Sequence, residues 1–295
     1  MITKLDDLIE LAKSKGKKRL VAAYANDSHT LGAVGEAVKL GLIDATVVGD
    51  IETMKRVCAE EGIDCSQFEM VQEADETKAG VLAVSLVREG KGDFLMKGLL
   101  STDKYMRAIL NKEKGLMPGT KGDMLTHVSV YQIPAYHKLL VASDVAIIPA
   151  PDMKQKQAIL NLLIKTAKSL EIERPKVALL AATEQVSIGM PACAEAAIIA
   201  KMSERGQIKG AIVDGPLALD VAIDKESAQT KKVTGEVAGD ADCLLFPNIE
   251  SGNVFYKTCT KFAGAELACM VLGAKVPCVL TSRGDSMKTK LNSIA

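Results

Sequence analysis

Three segments of this 295-residue chain share one grammar: a short apolar run, then glycine with hydroxyl or cationic residues, then a helix-like start. In FLMKGLLSTDKYMR, Lys97 and Gly98 close the run, and Ser101 or Thr102 caps a helix that carries Arg107. In CVLTSRGDSMKTK, Thr281, Ser282, Arg283, Gly284 and Asp285 fall at the turn. In LLFPNIESGNVFYKTCTKF, Pro247, Asn248, Ser251, Gly252 and Asn253 precede a helix bearing Lys257 and Lys261. Ligands of open α/β sheets bind outside the carboxyl ends of strands, and the free N–H groups of a helix start attract anions. Arginine adds a planar fork suited to phosphate, and glycine lets the backbone come close to it. A phosphate-bearing ligand is therefore expected. Each segment also has an ordinary reading, because Ser, Thr, Asp and Asn cap helices and lysines four apart commonly form a solvated face.

A fourth segment, GAIVDGPLALDVAI, places Asp214 and Asp220 around Gly215 and Pro216. Paired carboxylates serve acid–base or metal chemistry, but Asp-Gly-Pro is first of all a turn. With only His29, His127 and His137, the chain has no zinc spacing, and Gln132 stands where a His-x4-Asp motif would need aspartate. P-loop, dinucleotide and nucleophile-elbow fingerprints are missing as well. No metal is expected.

The elements that must carry these turns alternate in the manner of βαβ units and a mostly parallel sheet. Strands are expected at 19–24, 45–48, 68–71 and 94–96, with helices at 28–40, 51–61, 75–89 and 102–112. After the loop at 115–122, an antiparallel hairpin is expected from runs 124–133 and 139–148. Helix 154–170, strand 176–181, helix 191–205, strand 210–213, strand 243–246, a long helix 254–272, strand 278–280 and a short final helix follow.

Length favours two domains. Thirty-seven basic and 37 acidic residues leave no net charge, and aromatics are 3% with no Trp, so nucleic acid is not an expected partner. The seven cysteines form no C-x-x-C pair, the N-terminus lacks a signal-peptide pattern, and no apolar run reaches the roughly 20 residues of a membrane span. A cytoplasmic protein with no membrane partner is expected.

Six segments in register resemble the phosphate butyryltransferase and phosphate acetyltransferase family. They are LMKGLLST at 95–102, SDVAIIPAPD at 143–152, PKVALLAATE at 175–184, DGPLALDVAID at 214–224, ADCLLFPNIESGNVFYK at 241–257 and GAKVPCVLTSRGDS at 273–286. The DGPLALD and SRGDS stretches and the length are closer to the butyryl branch. The resemblance implies a two-domain α/β/α sandwich similar to isocitrate and isopropylmalate dehydrogenases, with a cleft between domains. It assigns residues 1–118 and 272–295 to the first domain and 119–271 to the second, which would hold the interface of a homodimer or higher homo-oligomer.

It also implies roles. Ser282 and Arg283 match the catalytic Ser-Arg pair of the acetyl branch, and Arg107 matches an anion-binding arginine. Lys261 falls where that branch has another arginine, and so would act only as a point charge. Lys97, Gly98, Thr102, Asn253, Lys257 and Gly284 complete the expected phosphate and substrate site. The acetyl branch has an aspartate seven residues after its serine as general base, where this chain has Thr289. Asp285 is a local substitute; alternatively no carboxylate is needed and the thiol ionises beside Arg283 and Ser282. The expected reaction is acyl-CoA plus phosphate giving acyl phosphate plus coenzyme A, with coenzyme A a substrate and no bound cofactor. A phosphate acetyltransferase acting on acetyl-CoA and a non-catalytic binder of a phosphorylated metabolite are the alternatives.

Overall fold

The structure, a computed structural model, describes residues 2–120, 122–282 and 284–295. The chain divides into two compact units. A flanking unit comprises Asp6–Leu125 and Ala268–Ala295, and a middle unit comprises Met1–Leu5 and Thr126–Leu267.

In the flanking unit, strands β1 (Lys18–Ala23), β2 (Ile43–Gly49), β3 (Phe68–Gln72) and β4 (Phe94–Lys97) alternate with helices α2 (Ser28–Lys39), α3 (Ile51–Glu61) and α4 (Glu76–Arg88). Helix α1 (Asp6–Ser14) precedes them and α5 (Thr102–Leu110) follows β4. The strand order is β3-β2-β1-β4-β11-β10, where β10 is Glu266–Leu272 and β11 is Cys278–Val279. All of these pair in parallel except β10 with β11. Side-chain caps start the helices in the same way each time: Asp27, Asp50, Asp75 and Ser101 each accept an N–H of the first turn. Each such cap stabilises its helix by about 1 kcal/mol. Leu20, Ala22, Leu31, Val34, Val47, Met54, Met96 and Val279 make one core cluster, and the last four residues of β1 are all buried, as expected of a strand covered on both faces.

In the middle unit the order is β5 (Thr126–Gln132), β6 (Leu140–Ser143), β9 (Cys243–Leu245), β7 (Lys176–Leu180) and β8 (Ile212–Leu217). The hairpin β5/β6 is antiparallel and the other pairs are parallel. Helices α6 (Met153–Ser169), α7 (Pro191–Glu204), α8 (Leu219–Ile223), α9 (Lys225–Thr230) and α10 (Ile249–Lys261) belong here.

Three expectations fail for local reasons. The long helix at 254–272 is instead α10 followed by β10; Gly264, at φ 63°, lies between the two in the left-handed region that ends helices. The run at 139–148 stops as a strand at Ser143, because the Asp144 carboxylate accepts the N–H groups of Ala146, Ile147 and Ile148 and turns the chain. Asp214-Gly-Pro is not a turn but part of β8, which has no partner on its far side among the described strands and so tolerates proline. Gly215 is needed there, since a Cβ would lie 2.8 Å from the Leu179 carbonyl oxygen.

Candidate active site

Three parallel strands of the flanking unit, β1, β4 and β11, end side by side: Ala23 is in register with Lys97, and Met96 with Val279. Directly after β4, the Gly98 N–H donates to Ala23 O at 2.9 Å and the Leu99 N–H to Tyr24 O at 2.8 Å. A Cβ on Gly98 would stand 2.4 Å from Tyr24 O, so only glycine lets the chain cross this close. Tyr24 itself has φ 56°, a strained value for a non-glycine residue. Behind the strand ends, Tyr105 of α5 donates its hydroxyl to Val279 O at 3.1 Å, and burial pushes its pKa well up, so it stays protonated.

Lys97 is 2% exposed, with Nζ donating to Gly98 O at 3.2 Å. Ser101 is the cap of α5, accepting from the Lys104 N–H, while Thr102 is the exposed first residue of the helix. Beyond β11, the Ser282 N–H donates to Asp285 Oδ2 at 2.6 Å and the Asp285 N–H returns to Ser282 O at 3.1 Å. This closes a tight turn. The following helix, α11 (Met287–Ile294), is capped by Ser286 and not by Asp285. Thr289, standing where the acetyl branch has aspartate, gives its N–H to Ser286 Oγ at 3.1 Å. A Cβ on Gly284 would meet open space, so packing within the chain does not demand glycine. Arg283 lies outside the described residues.

Lys97, Gly98, Ser282 and Asp285 are thus gathered at neighbouring strand ends. Arg107 is largely exposed and pairs with Asp103 at 3.0 Å. Both line a groove of about 330 Å³ with Val81, Val84, Lys104 and Lys114, and neither Lys97 nor Ser282 is among its lining residues.

Asn253, Lys257 and Lys261 belong to the middle unit, four apart on the exposed side of α10. Asn248 caps this helix through the Ser251 N–H at 3.0 Å, and Asn253 Nδ2 donates to Val145 O at 3.1 Å. Gly252 is required where α10 meets the turn after β6, since a Cβ would lie 2.2 Å from Asp144 O. Lys257 sits 4.8 Å over the Tyr256 ring, and Lys261 is the last residue of the helix. Asp214 turns its carboxylate to the Gly215 N–H, while Asp220 is bound by Lys231, so the two acids do not share a task.

Sequence reasoning passed over two groups here. The end of β1 continues as Tyr24-Ala-Asn-Asp27 into α2, the same strand-to-helix grammar without its glycine or cation. Lys290 is buried at 4% exposure and donates to Thr281 Oγ1 at 3.0 Å, although its KTK context reads as a solvated helix start.

Residues 67–295 match the family described as phosphate acetyl/butaryl transferase. The chain is 45% identical over 295 residues to the phosphate butyryltransferase of Clostridium acetobutylicum, covering 100% of this chain and 97% of that one. It is 41% identical over 291 residues to the phosphate acetyltransferase of Thermotoga maritima, covering 99% and 97%. Among solved structures, a branched-chain phosphotransacylase from Enterococcus faecalis V583 superposes with a TM-score of 0.80 at 30% identity, over 94% of this chain and 96% of that one. The chain belongs to the phosphate acetyl and butyryl transferase family, to which the six sequence segments pointed.

Proposed function

We propose that this chain is a phosphate acyltransferase that exchanges a butyryl or similar short or branched acyl group between coenzyme A and inorganic phosphate. The observation that carries this reading is the likeness to a phosphate butyryltransferase along the whole chain. In the direction of acyl-CoA synthesis, a base takes the proton of the coenzyme A thiol and the thiolate attacks the carbonyl of acyl phosphate. The tetrahedral oxyanion collapses, the carbon–oxygen bond breaks and phosphate leaves; the reverse direction makes acyl phosphate.

Ser282 would stand beside the carbonyl, with Arg283 holding phosphate through its fork and Asp285 taking the proton. Lys97, Gly98, Thr102, Arg107 and Gly284, together with Asn253, Lys257 and Lys261, would bind the phosphate groups and the rest of the substrate. Loss of one donor aimed at a developing oxyanion typically costs about 100- to 1,000-fold in rate. The close β1–β4 crossing at Gly98 and the Ser282–Asp285 turn support a rigid platform at the strand ends. Coenzyme A is a substrate here, and the reaction runs without a metal or bound cofactor.

The same reading makes residues 1–118 with 272–295 one α/β/α domain and 119–271 the other. They would resemble isocitrate and isopropylmalate dehydrogenases and flank a cleft, in a cytoplasmic homodimer or higher homo-oligomer. The test is release of free thiol from butyryl-CoA. It should require phosphate and persist with a chelator; loss with chelator and recovery with magnesium would refute the metal-free chemistry.

A further inference from the structure

Lys290 stands on the first turn of α11 with 4% of its surface exposed. Two costs attach to that place: a buried ammonium must be met by partners, and a cation on the first turn of a helix opposes the helix dipole. Lys290 has such a partner in Thr281. Its Nζ donates to Thr281 Oγ1 at 3.0 Å, and Thr281, 2% exposed, is the residue before Ser282. Burial draws the pKa of Lys290 down, while the carboxylates of Asp27 and Asp285 draw it back up. Asp27 comes from the end of β1, where its Oδ1 accepts the Thr30 N–H at 2.9 Å to cap α2. Its Oδ2 is buried without a hydrogen-bond partner among the described residues. Asp285 is the residue that holds the Ser282 N–H. The Lys290 ammonium thus bonds the end of β11, the carboxylates of Asp27 and Asp285 act on it electrostatically, and α11 packs on α2, the helix Asp27 caps.

We propose that Lys290 is a positioning residue for acyl transfer: its ammonium binds Thr281, the residue before Ser282, and so holds Ser282 in one geometry at the end of β11. The inference rests on the acyltransferase reading, with Ser282 at the carbonyl. A lysine that only stabilised the fold would affect melting and leave turnover of the folded enzyme alone. A positioning lysine acts on kcat, because Ser282 matters most as charge builds in the transition state.

The test compares full-length wild type, Lys290→Met, Thr281→Val, Thr281→Ser and the double variant Lys290→Met/Thr281→Val. Each is assayed for phosphate-dependent thiol release from butyryl-CoA, with thermal melting in parallel. Lys290→Met and Thr281→Val should each lower kcat by about tenfold or more, the scale of one charge-assisted hydrogen bond, with KM for butyryl-CoA changed less than about twofold. Because both remove one interaction, the double variant should be no slower than the slower single one. Thr281→Ser keeps the hydroxyl and should hold kcat within about threefold of wild type, under about 1 kcal/mol in barrier. The inference is overturned by a folded Lys290→Met with wild-type kcat, by effects that multiply in the double variant, or by Thr281→Ser as slow as Thr281→Val. Should Lys290→Met not fold, the Thr281 variants decide: wild-type kcat in Thr281→Val overturns it. An inactive wild type instead removes the acyltransferase reading, and the inference with it.

Discussion

Changing Asp285 to Asn separates the two tasks that the Ser282–Asp285 turn offers this residue. In the structure Asp285 accepts the Ser282 N–H on Oδ2 at 2.6 Å. Asparagine keeps an acceptor oxygen of the same shape and loses the charge. A hydrogen bond to a charged group contributes about 1.5–3 kcal/mol and a neutral one about 0.5–1.5, so the turn should weaken by about 1 kcal/mol. In a unit of this size that lowers Tm by about 2–4 °C. A general base contributes far more to turnover, typically about 100- to 10,000-fold. The assay is therefore kcat for thiol attack on butyryl phosphate beside a melting curve, with KM for coenzyme A as control. If Asp285 is the base, kcat falls by at least about 100-fold while Tm falls by only about 2–4 °C. A kcat within about threefold of wild type, under 1 kcal/mol of barrier, refutes that assignment. The thiol would then ionise unaided, and the rate should rise only as pH approaches the thiol's ordinary value of about 8.5. Alanine is a poorer probe, because it also leaves the Ser282 N–H unpaired.

Arg283→Gln should raise KM for phosphate and lower kcat in steady-state kinetics, with Lys at the same position restoring activity only in part, since lysine lacks the planar fork. Gly98→Ala sets a methyl against Tyr24 O, at 2.4 Å, and Ala23 O, at 2.7 Å; the melting curve should report a loss of about 1–3 kcal/mol, and turnover should fall with it. In the middle unit, Asp240 joins Lys176 at 2.5 Å, Lys138 at 3.0 Å and His137 at 2.9 Å. Burial alone would raise its pKa, but the hydrogen bonds from Lys176 and Lys138 hold the carboxyl well below the ordinary range. Its stabilising effect is present above the unfolded value of about 3.9 and is lost as pH falls toward the lower folded value. Asp240→Asn should thus lower Tm at neutral pH and flatten the acid side of the Tm–pH curve; an unchanged curve would refute the network's role.

Much of the secondary structure was legible because one rule repeats: an apolar run, an aspartate or serine cap, then a helix. Helix Ile51–Glu61 after the Asp50 cap is the same in sequence and structure. The rule failed where an apolar run fits two periods. ELACMVL at 266–272 suits the end of an amphipathic helix as well as a buried strand, and only Gly264 hints at the break. The strand-end segments with Lys97, Gly98 and Ser282 stood out by residue type. The β1 end and Lys290 did not, because their placement depends on contacts between elements far apart in sequence, such as α2 with α11. Cap chemistry left one choice open: Asp285 next to Ser286 offers two candidates, and the serine takes the helix while the aspartate folds back on Ser282.

The central claim is that this chain moves a short acyl group longer than acetyl between coenzyme A and phosphate. Its most direct test is kcat/KM for butyryl-CoA and acetyl-CoA measured side by side with phosphate, counting acyl phosphate formed against thiol released. One acyl phosphate per thiol is expected, with the higher kcat/KM for butyryl-CoA. Thiol release without acyl phosphate would contradict the reaction, and a higher value for acetyl-CoA would contradict the acyl preference.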